Sequence, residues 1–175
     1  MSSADLAALV LRLTLGAVLL AHGINHAWGG GGLAGTARWF GSIGLRPAIP
    51  HAVLATATEI TAGALLSVGL FTPFAAAAVV STMTVALITA HRRNGFFVFR
   101  PGQGWEYTGV LVATAAAAAT LGPGRWSVDH LLGIAADGGA ALTIALGLGL
   151  IAATLLLGVC WRPPREESRA AATSA

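Results

Sequence analysis

The chain has no lysine: its ten basic side chains are all arginines, set against only seven carboxylates, and charged residues make up 10% of 175. So little charge excludes an ordinary soluble domain, whose surface needs far more. One cysteine, Cys160, excludes an internal disulfide. The arginines stand singly or in pairs with no basic stripe, which argues against nucleic acid as a partner despite the net charge of +3. No G-x-S-x-G, C-x-x-C or H-E-x-x-H occurs. The run Gly29 to Gly32 lacks the Gly-Lys-Ser/Thr of a phosphate-binding loop.

What the chain does have is length of apolar sequence. Hydrophobic residues are 55% of the total and gather into five stretches, 6–27, 50–71, 73–91, 105–121 and 139–161. A helix crossing a hydrocarbon layer about 30 Å thick needs about 20 apolar residues at about 1.5 Å each. Backbone left bare in lipid is so unfavourable that each stretch must be helical. The expected fold is therefore all-α, a polytopic transmembrane bundle with the lipid bilayer as its main partner. Met1 to Leu20 has no basic leader, and its apolar run carries Arg12 and continues to His22. It reads as a retained first helix rather than a signal peptide.

Between the spans, 33–40 reads as a short interfacial helix, and the tight Gly69-Leu70-Phe71-Thr72-Pro73 link forces a hairpin. The aromatic loop 96–104 is expected at the headgroups or over the bundle. Ser127 or Asp129 is expected to cap a second short helix running to Ala136. The alanine run 115–119 and the small face Gly147, Gly149, Ala153 suit close helix packing or dimerisation. The tail 162–175 is polar and expected to lack fixed structure.

With five crossings, eight arginines emerge on one side of the bilayer and only Arg125 on the other, Arg12 lying inside the first helix. This imbalance predicts a cytoplasmic C-terminus and an outside N-terminus in the cell (inner) membrane.

Polar groups within the spans mark the candidate site. Arg12 and Glu59 are ionisable at depths where insertion costs at least about 2.5 kcal/mol, so they are expected to face the interior. As neighbours on antiparallel helices they are expected to pair, either as a structural brace or as a proton or ligand site. His22 and His26, four residues apart, share a helix face and could hold a metal. The ends of the first and third spans and the starts of the second and fourth bring His22, His26, His91, His51 and Glu106 to one membrane face, with Trp28, Trp39, Trp105 and Tyr107 level with them. Three readings stay open for this set. Helix ends are where polar residues are cheapest; a quinone headgroup could be held and protonated there; or a metal could bind.

Together these pieces resemble the DoxX family of small bacterial membrane proteins. The resemblance runs from about Leu9 to Gly133. It is carried by Leu11-Arg12-Leu13 with Gly16, His22-Gly23-Ile24-Asn25-His26, and Trp39-Phe40-Gly41-Ser42-Ile43-Gly44-Leu45. Glu59 with Gly63, Gly69-Leu70-Phe71-Thr72, Glu106 and Gly122-Pro123-Gly124-Arg125-Trp126-Ser127-Val128-Asp129 complete it. It implies a DoxX-like four-helix core over 1–137, with the fifth span, 138–161, as a C-terminal addition. It also implies an association with quinone-linked redox or oxidative-stress systems, with Arg12, His22, Glu59, Glu106 and Asp129 at the family's polar positions. The expected role is an accessory subunit with no covalent cofactor, a quinone being the cofactor it would meet. Other membrane subunits or further copies of the chain would be its partners. The rival expectations are a non-catalytic assembly subunit and a small transporter or metal-binding protein.

Overall fold

The computed structural model describes residues 2–164; nearly all of the polar tail lies outside them. Among the described residues the chain is helical, without strands; a single isolated bridge joins Leu45 and Trp161.

Helix α1, Ser3–Trp28, starts on a capping box in which Ser2 Oγ accepts from the Asp5 N–H and Asp5 Oδ2 accepts from the Ser2 N–H, both at 3.1 Å. The glycine run that follows ends it, and α2, Gly32–Ser42, lies across the end of the bundle with Thr36, Ala37 and Phe40 turned inward. Helix α3, Ala48–Val68, stops at Gly69, whose φ of 69° is the left-handed conformation that glycine adopts without strain. Helix α4, Thr72–Ala86, has proline in its first turn and runs on through a π turn, Leu87–His91, and a short 3-10 turn, Arg92–Asn94. Helix α5 is Glu106–Leu121, α6 is the single turn Val128–Leu131, and α7 is Gly138–Cys160.

Among the described residues four helical segments are long and apolar enough to cross a membrane: Ser3–Trp28, Ala48–Val68, Thr72–Asn94 and Gly138–Cys160. The fourth stretch expected from the sequence folds as the 16-residue α5, about 24 Å long by helix rise. It is shorter because Trp105 stays in the preceding turn and Gly122 leaves the helix at φ 82°.

Small residues set the packing. Helix α1 lies antiparallel along α3, and α4 occupies the centre, against α3 on one side and α5 and α7 on the other. The core joins Leu15 and Leu19 of α1 to Leu66 of α3, Val79 and Val80 of α4, and Ala115, Ala118 and Ala119 of α5. The alanine run thus does lie at a helix contact. On α7 the buried stripe is Ala141, Ala145, Gly149 and Ala153, one small residue per turn. Gly149 sits directly on Val80, whereas nothing lies within 4 Å of a Cβ built at Gly147. Helix α7 is therefore packed into the bundle through Gly149, and Gly147 is not part of that contact.

Candidate functional site

The two intramembrane charges go to opposite ends of the α1–α3 pair, and the expected Arg12–Glu59 contact does not form. Arg12 is 1% exposed and serves as a helix-end clamp. Its Nη1 donates to the carbonyls of Leu66 and Ser67 at 3.0 and 3.3 Å, and its Nη2 to that of Trp126 at 2.7 Å. Leu66 and Ser67 lie in the last turn of α3, where carbonyls run short of donors: that of Leu66 has the Gly69 N–H at 3.2 Å, and that of Ser67 has Arg12. Gly69 is needed beside them, since a Cβ there would run into the guanidinium.

Asp129 completes this junction. Its carboxylate accepts from the N–H groups of Phe71 and Thr72 at 2.7 and 2.9 Å, satisfying the free donors at the start of α4. The cap of α6 is Ser127, which accepts from the His130 N–H at 3.1 Å. The short helix ends at Leu131 rather than Ala136 because Gly133, at φ 68°, turns the chain away.

At the other end of the pair Glu59 meets His26, with Oε2 and Nδ1 3.0 Å apart. The side chains are 6% and 16% exposed, and neither atom has another partner among the described residues. Gly23, one turn before His26, has no side chain to hold α3 away: a Cβ there would lie 2.7 Å from Ile60 Cγ1. The backbone of His26 is fixed by α2, since Thr36 Oγ1 donates to its carbonyl at 3.0 Å, and the Phe40 ring stands edge-on to the imidazole at 5.9 Å. Thr56 does not serve the carboxylate; its hydroxyl bonds back to Ala52 O. Thr58 lines an open groove between α3 and α4.

Next to this buried pair is an exposed one. His22 Nε2 lies 3.3 Å from the Tyr107 hydroxyl, and the two rings stack with centroids 6.0 Å apart. The His22 and His26 rings are edge-to-face at 6.5 Å. Tyr107, His22, His26 and Glu59 thus form a strip that starts at the surface between α1 and α5 and ends on a buried carboxylate. A lone buried charge is costly in such a place, and the two groups are each other's nearest polar partners there. Tyr107 was legible in the sequence as an aromatic level with the histidines, but not as the partner of His22.

The remaining expected residues do a different job. Glu106 Oε2 accepts from the Val98 N–H at 3.1 Å, His91 Nδ1 donates to Gln103 O at 2.9 Å, and Trp105 packs edge-on against Phe96 at 4.8 Å. These three hold the 96–104 loop in shape, while His22 and His26 belong to the strip. Among the described residues no group of three or more His, Cys, Asp or Glu is placed to hold a metal ion.

The family model described as DoxX matches residues 7–92. The match takes in Arg12, His22, His26 and Glu59; Glu106, Tyr107, Asp129 and α7 lie beyond it, although the resemblance read from the sequence ran on to Gly133. No curated protein and no solved structure matches the chain. Apolar helices of spanning length and the match over 7–92 lead to one assignment: this is a multi-pass membrane protein whose residues 7–92 form a DoxX domain.

Proposed function

We propose that this DoxX-domain protein is an accessory membrane subunit of a quinone-linked redox or oxidative-stress system, with the strip from Tyr107 to Glu59 as its working part. The observation that carries the proposal is the buried His26–Glu59 pair set behind the exposed His22–Tyr107 pair. A quinone headgroup reaching the bundle from lipid would meet hydrogen-bonding groups at His22 and Tyr107. The protons that accompany its reduction would be held at His26 and Glu59. The sequence has no flavin, haem or iron–sulfur motif, so the electrons would come from a partner subunit or a soluble donor. In this reading α5 crosses the bilayer beside α4 and α7. The chain then makes five crossings, α7 last, with the N-terminus outside and the C-terminus in the cytoplasm, as the arginine imbalance favours.

The test is direct. Protein purified in mild detergent is expected to carry quinone in its lipid extract. Water-soluble quinone analogues are expected to raise its melting temperature, and His22→Ala or Glu59→Gln to weaken that shift. An extract free of quinone together with no shift on addition would end the reading.

A second reading, an assembly subunit without chemistry of its own, has one observation in its favour. Helix α7 leaves Leu148, Leu150, Ile151, Leu155 and Val159 exposed along its outer side, a surface open to lipid or to a neighbouring helix. It predicts that His22→Ala and Glu59→Gln leave the parent complex active.

A further inference from the structure

The C-terminal end of α7 gathers arginines from three distant parts of the chain. The link between α2 and α3 is stitched to it by backbone hydrogen bonds, Arg46 N–H to Cys160 O at 2.9 Å and Arg162 N–H to Gly44 O at 2.8 Å. The Trp161 indole N–H adds a bond to Ile43 O at 2.9 Å. From the other side the end of α4 brings Arg92, whose guanidinium carbon stands 5.5 Å from the centre of the Trp161 ring. This is within cation–π range. Arg93 shares with Arg92 and Trp161 the wall of a shallow cleft between α4 and the residues after α7.

Four arginines, 46, 92, 93 and 162, are thus exposed around one tryptophan. Among the described residues none of them pairs with a carboxylate. The carbonyls at a helix end attract a cation, but the effect fades within a turn and one cation would serve it. The cluster also stands where two spanning segments, Thr72–Asn94 and Gly138–Cys160, end side by side. A cationic cleft beside an interfacial tryptophan at that level is matched to the phosphate of a lipid headgroup.

We infer that the cleft formed by Arg92, Arg93 and Trp161 is a binding site for an anionic phospholipid, with the phosphate between the guanidiniums. Its place at the ends of two spanning segments, where headgroups lie, is what favours a lipid over a soluble anion. The π turn at Leu87–His91 contributes by setting the angle at which Arg92 and Arg93 leave α4.

The experiment uses the full chain, delipidated in neutral detergent and offered equal amounts of phosphatidylglycerol and phosphatidylcholine, with bound lipid counted by native mass spectrometry. Wild type is expected to prefer phosphatidylglycerol. The double variant Arg92→Gln/Arg93→Gln is expected to lose that preference by about thirtyfold, given the strength of each cation near a lipid phosphate. The double variant Arg38→Gln/Arg100→Gln removes the same charge elsewhere and is expected to keep it. Millimolar inorganic phosphate is expected to leave the bound lipid in place. Equal binding of both lipids by wild type, equal loss in both double variants, or displacement by inorganic phosphate would each overturn the inference. The wild-type comparison stands even if a variant fails to fold.

Discussion

Gly16 and Gly63 face each other across the α1–α3 contact so closely that a Cβ added to either would lie 2.9 Å from the carbonyl oxygen of the other. This approach brings Glu59 within reach of α1 and the α3 terminus within reach of Arg12. Gly63→Val is expected to force the helices apart at a cost of about 1–3 kcal/mol, measurable as a lower midpoint of unfolding in detergent. An unchanged midpoint would mean that the two backbones do not touch.

The His26–Glu59 pair is expected to act as a unit. Removing one member leaves the other buried and unpaired, at a cost of about 3–5 kcal/mol. Glu59→Gln and His26→Gln should therefore each destabilise the protein, and the double variant should be less harmful than the sum of the two. Additive losses in such a cycle would show that the contact at 3.0 Å carries no coupling.

At the opposite junction, Asp129→Asn is expected to weaken two charge-assisted bonds to the start of α4, costing about 1.5–3 kcal/mol. Arg12→Met should be worse, since it leaves the carbonyls of Ser67 and Trp126 without a donor and takes one of two from Leu66. Thermal unfolding ranks the two, and the reverse order would remove Arg12 from the centre of the junction.

Glu106→Gln and His91→Ala are expected to loosen the 96–104 loop and leave the strip intact. Hydrogen exchange at the Val98 amide, which donates to Glu106, should quicken, with no change in the response to quinone analogues. A lost response would return Glu106 or His91 to the ligand site.

The proposed five crossings would place Asn94 and Gly124 in different leaflets. In a Cys160→Ser background, Asn94→Cys should react with an impermeant maleimide only after the cytoplasmic face is opened, and Gly124→Cys before. Labelling of both from one side would remove α5 from the set of crossing helices.

Composition and hydropathy made the helical bundle legible, and glycines and prolines marked its turns. The pairing of charges was not legible, for a geometric reason. In a helix side chains lean toward the N-terminus, so on antiparallel neighbours two side chains converge only if each lies on the C-terminal side of the other's level. Arg12 bonds to Ser67, eight residues beyond Glu59 and about 12 Å away along the axis; from those positions the two side chains lean apart. His26 and Glu59 lean together. The level is set by the Gly16–Gly63 contact, and with it His26 could have been chosen from the sequence. Asp129 and Glu106 were harder to assign, because each bonds to backbone amides in a different segment and amides carry no residue-type signal.

The position of α4 has a consequence for biogenesis. Val80 is covered by Gly149 and Met83 lies in the same core, so this helix is translated well before part of its packing surface exists. A nascent chain released only to residue 92 already holds all of the family-matched segment, yet one flank of α4 has no protein to rest on until α7 leaves the translocon. The matched segment is thus the older-made half of a unit that closes last at its middle, and stop codons within α7 should yield chains that insert into the bilayer and are then degraded.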